Sequence, residues 1–134
     1  MNSITLISPE GLVASPAFSH VAVVPAGAET IYVGGQNAVD EKGAIVGGDD
    51  PAAQTRKTMA NLVTALEAAG ASLDDVISMT VLMVHGIDLA ASYAAAAETL
   101  AGLETPPLVT AAMVSALGVP GALVEVSAIA ARMP

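Results

Sequence analysis

The 134-residue chain reads as a single α+β domain, residues 1–134, with its helices gathered on one face of a mixed sheet. Three observations predict this. Short β-branched runs crowd both ends of the chain, two central segments carry apolar residues at helical spacing between capping residues, and the pieces follow the order ββ(β)αβαββ.

Ser3 to Ile7 is the first strand, broken by Pro9 and Gly11. His20 to Pro25 and Thr30 to Gly34 are apolar runs separated by Ala-Gly-Ala-Glu, which predicts a hairpin. Gly34-Gly35 marks a bend or a close backbone approach, Asp40 to Gly43 a turn, and Ala44 to Val46 a short strand or extended arm. The first helix has Asp50 as cap, Pro51 at its first position and Gly70 as the left-handed residue beyond its end. Met59, Leu62, Val63, Leu66 and Ala69 form its apolar face. Ser72 and Asp75 suit a capped short turn. Val76 to Val84 is a strand, and Asp88 caps a second helix to about Leu100, with Leu89, Tyr93, Ala96 and Leu100 on one side. Leu108 to Ala116 and Ala122 to Ala131 are the last strands, joined by Leu-Gly-Val-Pro-Gly.

Composition narrows the function. The chain is 54% hydrophobic and 13% charged, with a mean hydropathy of +0.66, yet has one Phe, two Tyr and no Trp. So much apolar residue in so short a chain suits an oligomer, whose interfaces resemble a core cut in half. Pro106, Pro107 and Pro120 with Gly118 and Gly121 break the C-terminal apolar run into strand-length pieces, so no bilayer span is expected. The net charge of −9, with only four basic residues, disfavours nucleic-acid binding and points to a small-molecule partner. No cysteine and no metal-ligand spacing occur, so neither a metal nor another cofactor is expected. The methionines read as gap-filling core. Without a basic region followed by an apolar core at its start, the chain is expected to be cytoplasmic.

Between Thr105 and Ala131 stands one charge, Glu125. A carboxylate in so apolar a run must be solvated, paired or neutralised, which makes Glu125 the leading candidate for acid/base chemistry. The plainer reading is a surface or oligomer-contact carboxylate on an edge strand.

Four stretches resemble the Rid family of reactive intermediate/imine deaminases (YjgF or L-PSP). They are Ser15-Pro-Ala-Phe-Ser-His20, Tyr32-Val-Gly-Gly-Gln36, Gly47-Gly-Asp with Gln54-Thr-Arg-Lys-Thr-Met-Ala-Asn-Leu62 running on to Val76, and Pro106-Pro-Leu-Val-Thr110 with Gly121-Ala-Leu-Val-Glu-Val126 and Ala128-Ile-Ala130. The resemblance implies a chorismate-mutase-like fold and a homotrimer with sites at subunit interfaces. It also implies hydrolysis of enamines or imines such as 2-aminoacrylate to 2-keto acids and ammonia, using an arginine for the substrate carboxylate, a tyrosine for orientation and a glutamate to position water and shuttle protons. The glutamate is Glu125. The tyrosine position falls on Phe18 and the arginine position on Leu108, so the chain resembles an arginine-lacking branch.

Leucine has no donor for a carboxylate, so efficient 2-aminoacrylate deamination is not expected. Phe18 and Leu108 are read as apolar walls of the cleft, with core plugs as the plainer reading. Thr110 is read as offering a hydroxyl beside Leu108, and Gly35 and Asn37 as offering a backbone amide or the Asn37 side chain to the cleft, with caps and turns as the plainer reading. His20 is a substrate-binding candidate by its nearness to Phe18, against a structural hydrogen bond as the ordinary alternative. His85 is expected in an exposed turn, and Arg56 and Lys57 in surface ion pairs. The leading expectation is therefore a deaminase-like hydrolase. Its rivals are a small-metabolite binding protein, a non-hydrolytic acid/base enzyme (tautomerisation or condensation), and a chaperone-like interaction role.

Overall fold

The computed structural model describes residues 3–134. The elements run β1 (Thr5–Ile7), β2 (Val21–Val23), β3 (Glu29–Gln36), α1 (Pro51–Ala68), β4 (Val76–Val84), α2 (Leu89–Leu100), β5 (Leu108–Val114) and β6 (Val124–Arg132), with a 3-10 turn at Leu73–Asp75. This is the expected order. A four-stranded sheet β3-β6-β4-β5 carries both helices on one face, and β1 and β2 form a separate antiparallel ribbon. The sheet is mixed: β6 is antiparallel to β3 and β4, while β5 runs parallel to β4.

Capping chemistry sets the helix bounds. Asp50 accepts from the Ala52 amide and Pro51 occupies the first turn of α1. At the other end Gly70, at φ +72°, lets its amide reach the Glu67 carbonyl and the Ala71 amide reach that of Leu66, satisfying carbonyls the helix leaves unpaired. Asp88 caps α2 through the Ala91 amide. The Ser72 amide donates to Asp75 at 2.9 Å in the short turn. Met59, Leu62 and Leu66 of α1 are fully buried against Val33, Val76, Met79, Val126, Ala128 and Ala130 of the sheet.

Some details differ from expectation. The predicted β2–β3 hairpin does not form. Val21–Val23 pairs with Thr5–Ile7, and Glu29–Val33 pairs with the end of β6 across Glu29↔Arg132. The chain does turn at Pro25–Ala28, but its two arms take partners remote in sequence. Pro25 brings no amide to a ladder at that corner. Ala44–Val46 is an arm with one bridge, Val39↔Ile45. On the helices, Ala69 is exposed and Tyr93 half-exposed, and the fully buried positions of α2 are Ser92 and Ala95. Met59, Met79 and Met83 fill the core as expected, whereas Met113 and Met133 are exposed.

Candidate functional site

Strand alternation divides the sheet into two unlike faces. Val124, Val126, Ala128 and Ala130 of β6 are buried under the helices, so Glu125, Ser127 and Ile129 point to the other, open face. Cross-strand register then orders that face in rows. Glu125 lies opposite Leu82, which lies opposite Ala112; Ser127 opposite Thr80 and Thr110; Ile129 opposite Ser78 and Leu108, with Tyr32 beyond it on β3. The middle row is therefore three hydroxyls from three strands, of which only Thr110 was anticipated.

Glu125 is half-buried at one end of this face. Its carboxylate rests against Gly35, where an added Cβ would come within 2.8 Å of both Cδ and Oε2. Gly35 lies in a register shift of the β3–β6 ladder between Val33 and Gln36, so the close approach expected from Gly34-Gly35 serves to seat this carboxylate. The Asn37 side-chain amide donates to the Val124 carbonyl at 3.0 Å and stands 3.4 Å from Glu125 Oε1. Buried Asn37 is held in turn by Asn61 of α1, whose amide donates to the carbonyls of Asn37 (2.8 Å) and Val39 (2.9 Å).

Gln54 does the same for the approach to β6. Fully buried, it donates to the carbonyls of Gly48 (2.7 Å) and Gly121 (2.9 Å) and accepts from the Leu123 amide (2.9 Å), two residues before Glu125. Neither Gln54 nor Asn61 was singled out from sequence. The signal was there: an amide inside an otherwise apolar helix face is costly unless its hydrogen bonds are met.

The remaining candidates separate. Glu125, Gly35 and Asn37 come together. Leu108 and Thr110 share the open face with them, but Leu108 sits opposite Ser78 while Glu125 sits opposite Leu82. Four residues along β4 is about 13 Å, before two strand spacings of about 4.8 Å are added. Phe18 lies on the other side of the sheet. Its loop is stitched to the start of β5 by Ser19, whose amide donates to the Pro107 carbonyl (3.0 Å) and whose hydroxyl donates to that of Pro106 (2.7 Å). The Phe18 ring lines a cavity beneath the helices to which Glu125 and Leu108 do not contribute. His20 meets the Phe18 ring edge-on at 5.4 Å, and its Nε2 lies 2.7 Å from the Val13 carbonyl oxygen, so the ring braces its own loop. His85 is exposed after β4, and Arg56 pairs with Glu98 across the helices at 3.0 Å. That hydrogen bond, with the attraction of the guanidinium, holds the Glu98 carboxyl below the usual carboxylate range. Among the described residues no group of three or more His, Asp or Glu is placed to hold a metal ion, and no helix is long and apolar enough to cross a membrane.

Fold and site together define a two-helix α+β protein that presents a carboxylate on the open face of its sheet. The chain belongs to the Rid/YjgF/L-PSP family: the family model described as Endoribonuclease L-PSP matches residues 10–132. It is similar to the structure of a Rid-family protein of unknown function from Yersinia pestis (34% identity, 97% of this chain and 98% of that one covered, TM-score 0.84). It is also similar to a putative endoribonuclease L-PSP from Entamoeba histolytica (30% identity, 95% and 98% covered, TM-score 0.68). A YjgF/YER057c/UK114 family member from Mycobacterium tuberculosis is 27% identical, with 96% and 98% covered and a TM-score of 0.60. No curated protein matches the chain.

Proposed function

We propose that this protein hydrolyses a small enamine or imine at a cleft between copies of the chain, with Glu125 as acid/base. The observation that carries the reading is the seating of Glu125, a lone carboxylate on an open sheet face, against Gly35 and Asn37. In an imine substrate, Glu125 takes a proton from water as its oxygen attacks the C=N carbon, giving a carbinolamine. That proton passes to nitrogen to complete the neutral carbinolamine. Glu125 then takes the hydroxyl proton and delivers it to the same nitrogen, so that the C=O bond forms as the C–N bond breaks and ammonia leaves. An enamine first receives a proton at carbon from the same group.

Leu108 supports an arginine-lacking site whose substrate carries no carboxylate at that end, or a larger apolar group. The distance between Leu108 and Glu125 within one chain supports a site completed by a second copy, and a trimer is the assembly proposed. Cleavage of RNA fits poorly: of four basic residues, Arg56 and Arg132 are already paired with Glu98 and Glu29.

The test measures ammonia release from imines generated in situ, by an amine oxidase for carboxylate-free imines and an amino-acid oxidase for 2-imino acids. The wild type accelerates the former, and Glu125→Gln loses about 10²–10⁴-fold while still assembling. Leu108→Arg shifts preference toward 2-imino acids. If neither wild type nor Leu108→Arg accelerates release, hydrolysis is the wrong chemistry. Thermal-shift screening against metabolites, with Glu125→Ala as control, then tests a binding role.

A further inference from the structure

A cavity of about 720 Å³ lies on the helix-covered side of the sheet. Met79, Val81 and Met83 of β4 and Val124 and Val126 of β6 form its floor, α2 overhangs it, and Phe18 closes one side. Protein interiors rarely keep voids larger than a water molecule, and small-molecule pockets run from about 300 to 1,000 Å³. The space is left because the residues facing it are short. Ala96 and Ala97 of α2, Ala101 just beyond it and Ala111 of β5 all line it, and the chain's only phenylalanine is at the wall.

We propose that this cavity is a second small-molecule site, separate from the Glu125 face, for a neutral and predominantly apolar ligand with at most one hydrogen-bonding group. None of the described residues lining it is charged. Its polar side chains are Thr55, whose hydroxyl donates to the Pro51 carbonyl, Tyr93, which is half-exposed, and Ser92. Ser92 is 3% exposed, and its hydroxyl has no hydrogen-bond partner among the described residues, leaving one unmet polar group in an apolar wall. With no cation in the lining and a net charge of −9, a carboxylate or sulfonate ligand meets only an unfavourable field. Because Val124 and Val126 point into the cavity on either side of Glu125, the two sites are back to back across one strand.

The experiment titrates the intact protein with N-phenyl-1-naphthylamine, a neutral fluorescent probe, and with its anionic analogue 8-anilinonaphthalene-1-sulfonate. The neutral probe binds saturably to the assembled protein, at least about tenfold more tightly than the sulfonate. Ala96→Phe, which fills the space from within, and Ala97→Phe, at the exposed rim, each weaken it by about tenfold or more without lowering the unfolding temperature. Glu125→Gln binds the probe as the wild type does, so the result stands whatever becomes of the hydrolase reading. The proposal falls if no saturable binding occurs, if the sulfonate binds as well, if both phenylalanine variants bind as tightly as wild type, or if Glu125→Gln abolishes binding. It falls equally if only dissociated chains bind, since a second copy then covers the cavity.

Discussion

The two faces of the β3-β6-β4-β5 sheet are made by the same strands and do opposite work. Beneath the helices every second residue of β6 from Val124 to Ala130 is apolar and buried, and the amides that intrude, Gln54 and Asn61, have their hydrogen bonds met. On the open face a carboxylate, a row of hydroxyls and the 77%-exposed Tyr32 meet solvent in one copy of the chain. One face is built for stability. The other has its carboxylate held from behind, by residues that belong to the first.

Substitutions that separate these roles sharpen the contrast. Leu62→Ala, in the packed face, destabilises by about 2–5 kcal/mol in denaturant titration, since a fully buried leucine leaves a cavity. Gly35→Ala acts on the open face alone. Its backbone is not in the left-handed region, and the clash is with the far end of a flexible side chain, so stability holds while Glu125 is displaced. Turnover of the substrate class proposed above falls by up to about 10²-fold, read as kcat against unchanged unfolding. Gln54→Ala crosses between the faces: the Gly121 carbonyl and the Leu123 amide lose their buried partner, for about 1–3 kcal/mol by thermal or chemical unfolding, and Glu125 loses part of its support. Equal stability with Gln54 absent would break the claim that one face positions the other.

Arg56→Ala touches neither face and marks the floor of the series. The Glu98 carboxyl it faces is held low, so any stabilisation is present above the ordinary carboxylate pKa and fades as pH falls through the lowered one. Both groups are exposed, and the unfolding temperature at neutral pH is expected to stay within error of wild type.

Local chemistry was the legible part. The caps Asp50, Pro51, Gly70 and Asp88 lie next to what they cap, and the helices begin and end where those residues place them. Pairing partners were not legible, because alternation says which residues share a strand's face but not which strands adjoin. That is why the β2–β3 hairpin was expected wrongly and why the Thr80–Ser127 pairing beside Thr110 went unnoticed. Glu125 stood out because an isolated charge in an apolar run needs no partner to be seen. Asn37 and Gly35 were named with it, but their contacts with it depend on a ladder spanning most of the chain. Phe18 and Leu108, placed in one cleft by resemblance, are adjacent through the Ser19↔Leu108 bridge, yet only Phe18 enters the helix-side cavity.

The placement of β6 bears on how the protein is made. It is the last strand in chain order and lies between β3 and β4, so until it emerges from the ribosome those two have no common partner. Most of the sheet's closure therefore waits until Val124–Arg132 has been made, when loops of up to about a hundred residues must be drawn shut, and slow folding with exposed strand edges follows. A nascent chain halted before Val124 would hold both helices and much of the apolar surface with nothing to close them. Such a chain is a natural client for chaperones.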